Sequence, residues 1–143
     1  MNSTKRPYTL FRLTEYEQFS LKQLSIFSNC TFEVKRGWFG ILLELGTDLE
    51  KYCNEHKIDL PIILQIKEKF GTLRFYYTLK DKTIAEEHKN AIREMVKKAE
   101  DLSEITCEKC GEKGELVVDS NFWSTVCPSH RPKKAINATD LKN

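Results

Sequence analysis

Cys107-Glu-Lys-Cys110-Gly111 and Cys127-Pro-Ser-His130 place two C-x-x-C/H pairs in the last third of a 143-residue chain, with sixteen residues between Cys110 and Cys127. Soft thiolates and an imidazole at this spacing are the ligand set of tetrahedral zinc, each pair forming a tight knuckle whose two ligands reach one ion from the same side. Three thiolates and a neutral imidazole around Zn2+ leave a net charge of about −1. Main-chain N–H groups must offset it, and Gly111 and Gly114 are the residues expected to turn the chain and aim them at the sulfurs. Four protein ligands close the coordination sphere, so the ion is expected to be structural. The same ligands accommodate iron, and zinc is the expected ion. The stretch has little apolar material of its own, so the metal is expected to supply most of its folding free energy, on the order of 10 kcal/mol.

No second constellation carries a reaction. His-x-Glu before Pro-Cys-x-x-Cys, the deaminase pattern, is absent, and so is His-Glu-x-x-His. No phosphate loop, dinucleotide fingerprint or Ser-His-Asp logic is present, so the chain is not expected to be an enzyme. Cys53 reads as a small core residue, and Cys30 as another or as an exposed thiol. His88 reads as a helix-face residue.

Elements must position these groups. Thr14-x-x-Glu17 and Ser20-x-x-Gln23 are capping-box patterns for a first helix within 14–28, with Leu13, Tyr16, Leu24 and Phe27 on one face. Residues 30–36 read as a short strand or extended segment. From Trp38 through Ile41, Leu42, Leu45, Leu49, Tyr52, Cys53 and His56 the apolar period is helical, with a kink or restart expected at Gly46-Thr47 and an end at Asp59 and Pro61. Residues 62–80 alternate as a β-hairpin, Leu64 and Ile66 on one arm and Leu73, Phe75, Tyr77 and Leu79 on the other, reversing at Gly71. Thr83-x-x-Glu86 caps a long helix over 83–105 that buries Ile84, His88, Ile92, Met95, Ala99 and Leu102.

The predicted fold class is therefore α+β: helices packed on a β-hairpin or small antiparallel sheet, with a C-terminal zinc ribbon. Its divisions are a body at 1–106, the ribbon at 107–130 and a basic tail at 131–143. The net charge is +2, yet residues 1–13 and 131–143 each carry +3, which leaves the part between them at −4. A mildly acidic body with basic ends is a poor match for a phosphate backbone and leans towards a protein partner. Arg74, Tyr76 and Trp123 are the candidate partner-binding residues, Arg and aromatic side chains being the usual anchors of interfaces. Beside Lys67 and Lys69, the same hairpin face is the alternative base-stacking platform of a nucleic-acid-binding regulator. No apolar run spans a bilayer, and no apolar stretch follows Lys5 and Arg6, so a cytoplasmic setting without membrane contact is expected.

Gly37-Trp38-Phe39 before a helix, Gln65–Tyr77 (QIKEKFGTLRFYY), Cys107–Gly111 (CEKCG) and Phe122–Cys127 (FWSTVC) together resemble a group of small zinc-ribbon proteins encoded by bacteria, prophages and other mobile elements. The resemblance covers roughly residues 37–130. It implies a helix, a hairpin, a helix and a terminal zinc ribbon, with no recognised enzyme activity. Small proteins of mobile loci are often inhibitors, so it points by analogy to an immunity protein that occludes a cognate toxin, or to a phage-encoded anti-defence factor; the acidic charge of the body leads to the expectation that such a toxin has a basic surface.

Overall fold

The computed structural model describes residues 11–142, and the basic residues Lys5 and Arg6 lie outside them. The fold is α+β: the described residues form three α-helices, a two-stranded hairpin and a three-stranded antiparallel sheet at the C-terminal end.

Thr14 caps α1 (Glu15–Lys22) through the expected box: its hydroxyl accepts from the Glu17 N–H at 3.0 Å, and the Glu17 carboxylate accepts from the Thr14 N–H at 2.9 Å. The second box does not form. Gln23 instead donates its side-chain amide to the Phe19 carbonyl, Leu24 turns extended, and a 3-10 turn follows over Ser25–Phe27. The expected single helical stripe is therefore broken: Leu13, Leu21 and Phe27 are buried while Tyr16 faces solvent.

Helix α2 (Phe39–Glu55) runs through Gly46 without restarting. Thr47 donates its hydroxyl back to the Leu43 carbonyl at 2.7 Å, so it caps nothing. Gly46 is a notch: a Cβ there would come within 2.5 Å of the Phe27 ring. The helix ends before Asp59 and Pro61. Lys57 turns left-handed at φ 54°, the Ile58 N–H reaches the Cys53 carbonyl at 3.0 Å, and the Lys57 N–H reaches Asn54 at 3.3 Å, a Schellman closure.

The hairpin pairs β1 (Ile62–Lys69) with β2 (Thr72–Thr78), Lys67 opposite Arg74 and Gln65 opposite Tyr76. Phe70 and Gly71 both have positive φ, the turn whose twist matches the strands. A bulge between Ile63 and Gln65 shifts the register, so Leu64 stands exposed on the outer side instead of sharing the core face with Ile66.

Helix α3 (Glu86–Ser103) starts later than expected, because Thr83 is held by the Asp81 carboxylate and Ala85 stands at the N-cap with no side-chain bond. Its buried residues are Ile92, Val96, Ala99 and Ser103, while His88, Met95 and Leu102 flank them half-buried. Ser103 and Glu100 cover the free edge of β2 by accepting from the Leu73 and Phe75 N–H groups, both at 2.9 Å. The main core lies between α2, α3 and the inner hairpin face of Ile66, Leu73 and Phe75, with Phe27 and Trp38 closing it. Residues 30–36 join this sheet only through Glu33, which bridges to Lys67 in parallel.

The C-terminal sheet has the order β4-β3-β5, with β3 at Glu115–Asp119, β4 at Phe122–Val126 and β5 at Ile136–Asn137. The segment read as a basic tail thus supplies a strand, and Arg131 binds Asn137 and the Ala135 carbonyl within it. Among the described residues no helix is long and apolar enough to cross a membrane.

Candidate metal centre

The first knuckle follows α3 directly, and the second leaves the end of β4. Gly111 makes the first turn at φ 86°, where its N–H donates to the Cys107 carbonyl at 2.9 Å. In the second, Pro128–His130 form a 3-10 turn whose last N–H returns to the Cys127 carbonyl at 3.0 Å. The pairing of β3 with β4 joins the two knuckles through the strands between them: Glu115 lies opposite Val126.

The ligand atoms of Cys107, Cys110, Cys127 and His130 all lie within 4.8 Å of one another. Cys110 Sγ is 3.6 Å from Cys127 Sγ, and His130 Nδ1 lies 3.2 Å from Cys127 Sγ and 3.7 Å from Cys107 Sγ. Thiolates about 2.3 Å from a tetrahedral ion stand roughly 3.8 Å apart, so the donor set fits a metal. His130 offers Nδ1, the ring nitrogen nearer the backbone, as a short C-x-x-H turn requires. Partial desolvation in the cluster pushes the thiol of Cys110, itself exposed, up to about 11, against the pull of the Glu112 N–H. Burial raises Cys127 too, but hydrogen bonds from His130 and Cys110 outweigh it and hold that thiol at about 7.

The glycines expected to serve the sulfurs do other work. The Gly111 N–H is spent on the Cys107 carbonyl and the Gly114 N–H on the Ile105 carbonyl, both at 2.9 Å.

Three hydrogen bonds to main-chain carbonyls help to fasten the centre to the body. Gly37 donates its N–H to the Glu108 carbonyl at 2.9 Å, and a Cβ on Gly37 would lie 2.0 Å from the Cys107 carbonyl oxygen. Trp38, fully buried, donates its indole N–H to the Thr106 carbonyl at 2.9 Å. The hairpin turn meets β4, where the Thr125 hydroxyl donates to the Gly71 carbonyl at 2.7 Å. Ribbon and body are therefore one packed structure, and the motifs at Gly37-Trp38, Phe70-Gly71 and Cys107–Gly111 meet at their contact.

Nothing in the sequence marked Glu108, between the first two ligands, as special. It is 2 % exposed, pairs with Lys35 Nζ at 3.0 Å and accepts from the Thr125 N–H at 3.2 Å. Burial raises its carboxyl above the ordinary value, and the Lys35 ammonium partly offsets this. Phe11 packs edge-on against the His130 ring at 5.4 Å, a contact from far along the chain that no local pattern signals.

Of the candidate partner-binding residues, Arg74 and Tyr76 share one face of the hairpin and Trp123 lies on the other sheet. Arg74 is half-buried and Tyr76 exposed on the outer hairpin face, while Trp123 is half-buried on β4. The ribbon meets the hairpin at its turn, and Tyr76 stands about 16 Å of strand away from it. Burial raises the Cys30 and Cys53 thiols, so neither is an activated nucleophile. Comparison with protein-family models, with curated proteins and with solved structures returned no match.

Proposed function

We propose that this protein is a non-enzymatic, cytoplasmic binding module, held by one structural zinc ion, that inhibits a partner protein by covering it. In its most concrete form it is an immunity protein that occludes an interbacterial toxin. Four protein ligands leave no position for a reacting water, so zinc, when bound, crosslinks the two knuckles. Cys107, Cys110, Cys127 and His130 would hold it.

The observation that carries the binding role is the outer face of the hairpin. Tyr76, Ile62 and Leu64 are exposed there beside Arg74, an aromatic, an arginine and aliphatic groups on one rigid sheet. Lys67 lies opposite Arg74 and the exposed Glu33 beside Lys67 offsets part of their charge, so this face is mildly cationic while the body is acidic overall. The counter-surface it favours is acidic, which departs from the basic toxin surface expected from net charge alone. The inhibitor role itself rests on the resemblance to small proteins of mobile loci.

The test is co-purification of the tagged zinc-loaded protein with the product of each adjacent reading frame, with and without nuclease, followed by a toxicity-protection assay. A stoichiometric protein complex that survives nuclease, and that Arg74→Glu and Tyr76→Ala disrupt, supports the proposal. Recovery of nucleic acid, with proteins lost on nuclease treatment, replaces it with the regulator reading.

A further inference from the structure

The parallel bridge at Glu33 is short, and what it leaves uncovered is specific. The Glu33 N–H donates to the Ile66 carbonyl at 3.0 Å, and the Glu68 N–H donates to the Glu33 carbonyl at 3.1 Å. In a strand the N–H and C=O of one residue face the same edge, so the Ile66 N–H also faces this side. Continuing the ladder would pair that N–H with Thr31, but residues 29–31 leave the sheet here. Among the described residues no main-chain partner takes the Ile66 N–H. The space between the departing segment and β1 is an open groove of about 600 Å³, lined by Asn29, Cys30, Thr31, Leu64, Gln65 and Tyr76 among others.

The opposite edge of the hairpin is protected. Ser103 and Glu100 occupy the β2 edge N–H groups, so the β1 edge over Ile63–Ile66 is where a strand can be added. The side chains beside it set the chemistry of that strand. Lys67 and Arg74 oppose each other directly, a destabilising like-charge pair, and neither has an ion pair among the described residues; the exposed Glu33 carboxylate, held by the Gln65 amide at 3.4 Å beside Lys67, offsets part of that charge and leaves the pair net positive. Exposed Leu64 and Tyr76 adjoin them.

We infer that the β1 edge takes up an extended, acidic segment of a partner protein by strand addition. Main-chain bonds to the Ile66 edge would supply register, carboxylates would answer Lys67 and Arg74, and apolar side chains would fill the groove against Leu64 and Tyr76. An unstructured nucleic acid could answer the cations but could not continue the ladder. This inference rests on the protein-binding reading above and specifies how that surface works.

The probes are a short acetylated peptide alternating Glu and Val, its Lys-Val counterpart, and oligothymidine, each titrated by fluorescence anisotropy into the zinc-loaded full chain. The acidic peptide is expected to bind at least about tenfold tighter than the basic one, and to slow amide hydrogen exchange at Ile66. Lys67→Glu with Arg74→Glu should reverse the preference, and the wild-type comparison stands without that variant. Equal binding of both peptides, or acidic binding that leaves Ile66 exchange unchanged, overturns strand addition. Tighter binding of oligothymidine also overturns it. If a co-purifying partner still depends on Arg74 while Ile66 exchange is unaffected, strand addition fails and the protein-binding reading survives. If no partner depends on Arg74, both fail.

Discussion

The indole N–H of Trp38 donates to the carbonyl of Thr106 at 2.9 Å, so the residue that opens α2 holds the chain one position before the first candidate metal ligand, Cys107. This buried hydrogen bond is therefore one of the links that couple the core of the body to the metal centre. Trp38→Phe removes the donor, strands a carbonyl and leaves a small void, for an expected loss of about 2–3 kcal/mol in urea unfolding. Chelation should release the knuckles and with them the Thr106 anchor. The cost of Trp38→Phe should then shrink in metal-free protein, a non-additivity that a double-mutant cycle with chelator as the second arm measures. Elemental analysis should find one zinc per chain, lost in Cys107→Ser.

Two glycines close together in sequence should respond in opposite ways to the same substitution. A Cβ on Gly37 meets the Cys107 carbonyl at 2.0 Å and the main chain of Glu108 at 2.5 Å, none of it able to rotate away. Gly37→Ala should force the first knuckle off the body, costing about 3 kcal/mol and weakening zinc retention against a competing chelator. Gly40, in the first turn of α2, has nothing within 4 Å of the added methyl. Gly40→Ala should raise stability by about 0.5–1 kcal/mol through helix propensity, with zinc retention unchanged. Thermal melts and chelator competition on the two variants decide it.

The candidate metal ligands were legible in sequence because both knuckles are local: spacing of two residues suffices to define them, whatever the rest of the chain does. The long face of α2 was legible for the same reason, since Leu42, Leu45, Leu49 and Cys53 repeat the helical period; on α3 the expected face held Ile92 and Ala99 but missed the buried Val96 and Ser103. What was not legible depends on partners distant in the chain. Gly46 looks like a helix breaker until Phe27, nineteen positions earlier, fills the space beside it. Leu64 fits the alternation of a core strand, yet the bulge turns it outward. Thr83 has the right spacing for a cap, but Asp81 binds it first. Glu108 carries no pattern at all, because Lys35 is seventy-three residues away.

Asp81 supplies a test with a defined sign. The Thr83 hydroxyl and then its main-chain N–H bind the carboxylate and hold it below the ordinary value of 3.8. A depressed native value means that the contribution is present above the unfolded value and is lost as pH falls through the native one. Asp81→Ala should therefore destabilise the approach to α3 near neutral pH and converge with wild type in strong acid. Carboxyl titration by NMR should place the Asp81 midpoint below 3.8; a midpoint at or above it would mean that the Thr83 bonds do not persist in solution.

Glu108 separates the roles of charge and hydrogen bonding at the centre. Its carboxylate satisfies the buried Thr125 N–H and pairs with Lys35, whose side chain is 25 % exposed and can return to water. Glu108→Gln keeps an acceptor for Thr125 and removes a buried charge, so the lost ion pair and the recovered desolvation should nearly cancel, within about 1 kcal/mol of wild type. Glu108→Ala keeps neither and leaves a buried donor unpaired beside a void, for an expected loss of about 2–3 kcal/mol. Because the main chain of Glu108 also receives Gly37 and reaches Thr125, the alanine variant should loosen the first knuckle and shed zinc sooner under chelation, while the glutamine variant retains it. Equal losses in the two variants would show that the Lys35 pair, and not the acceptor to Thr125, holds the centre to the body.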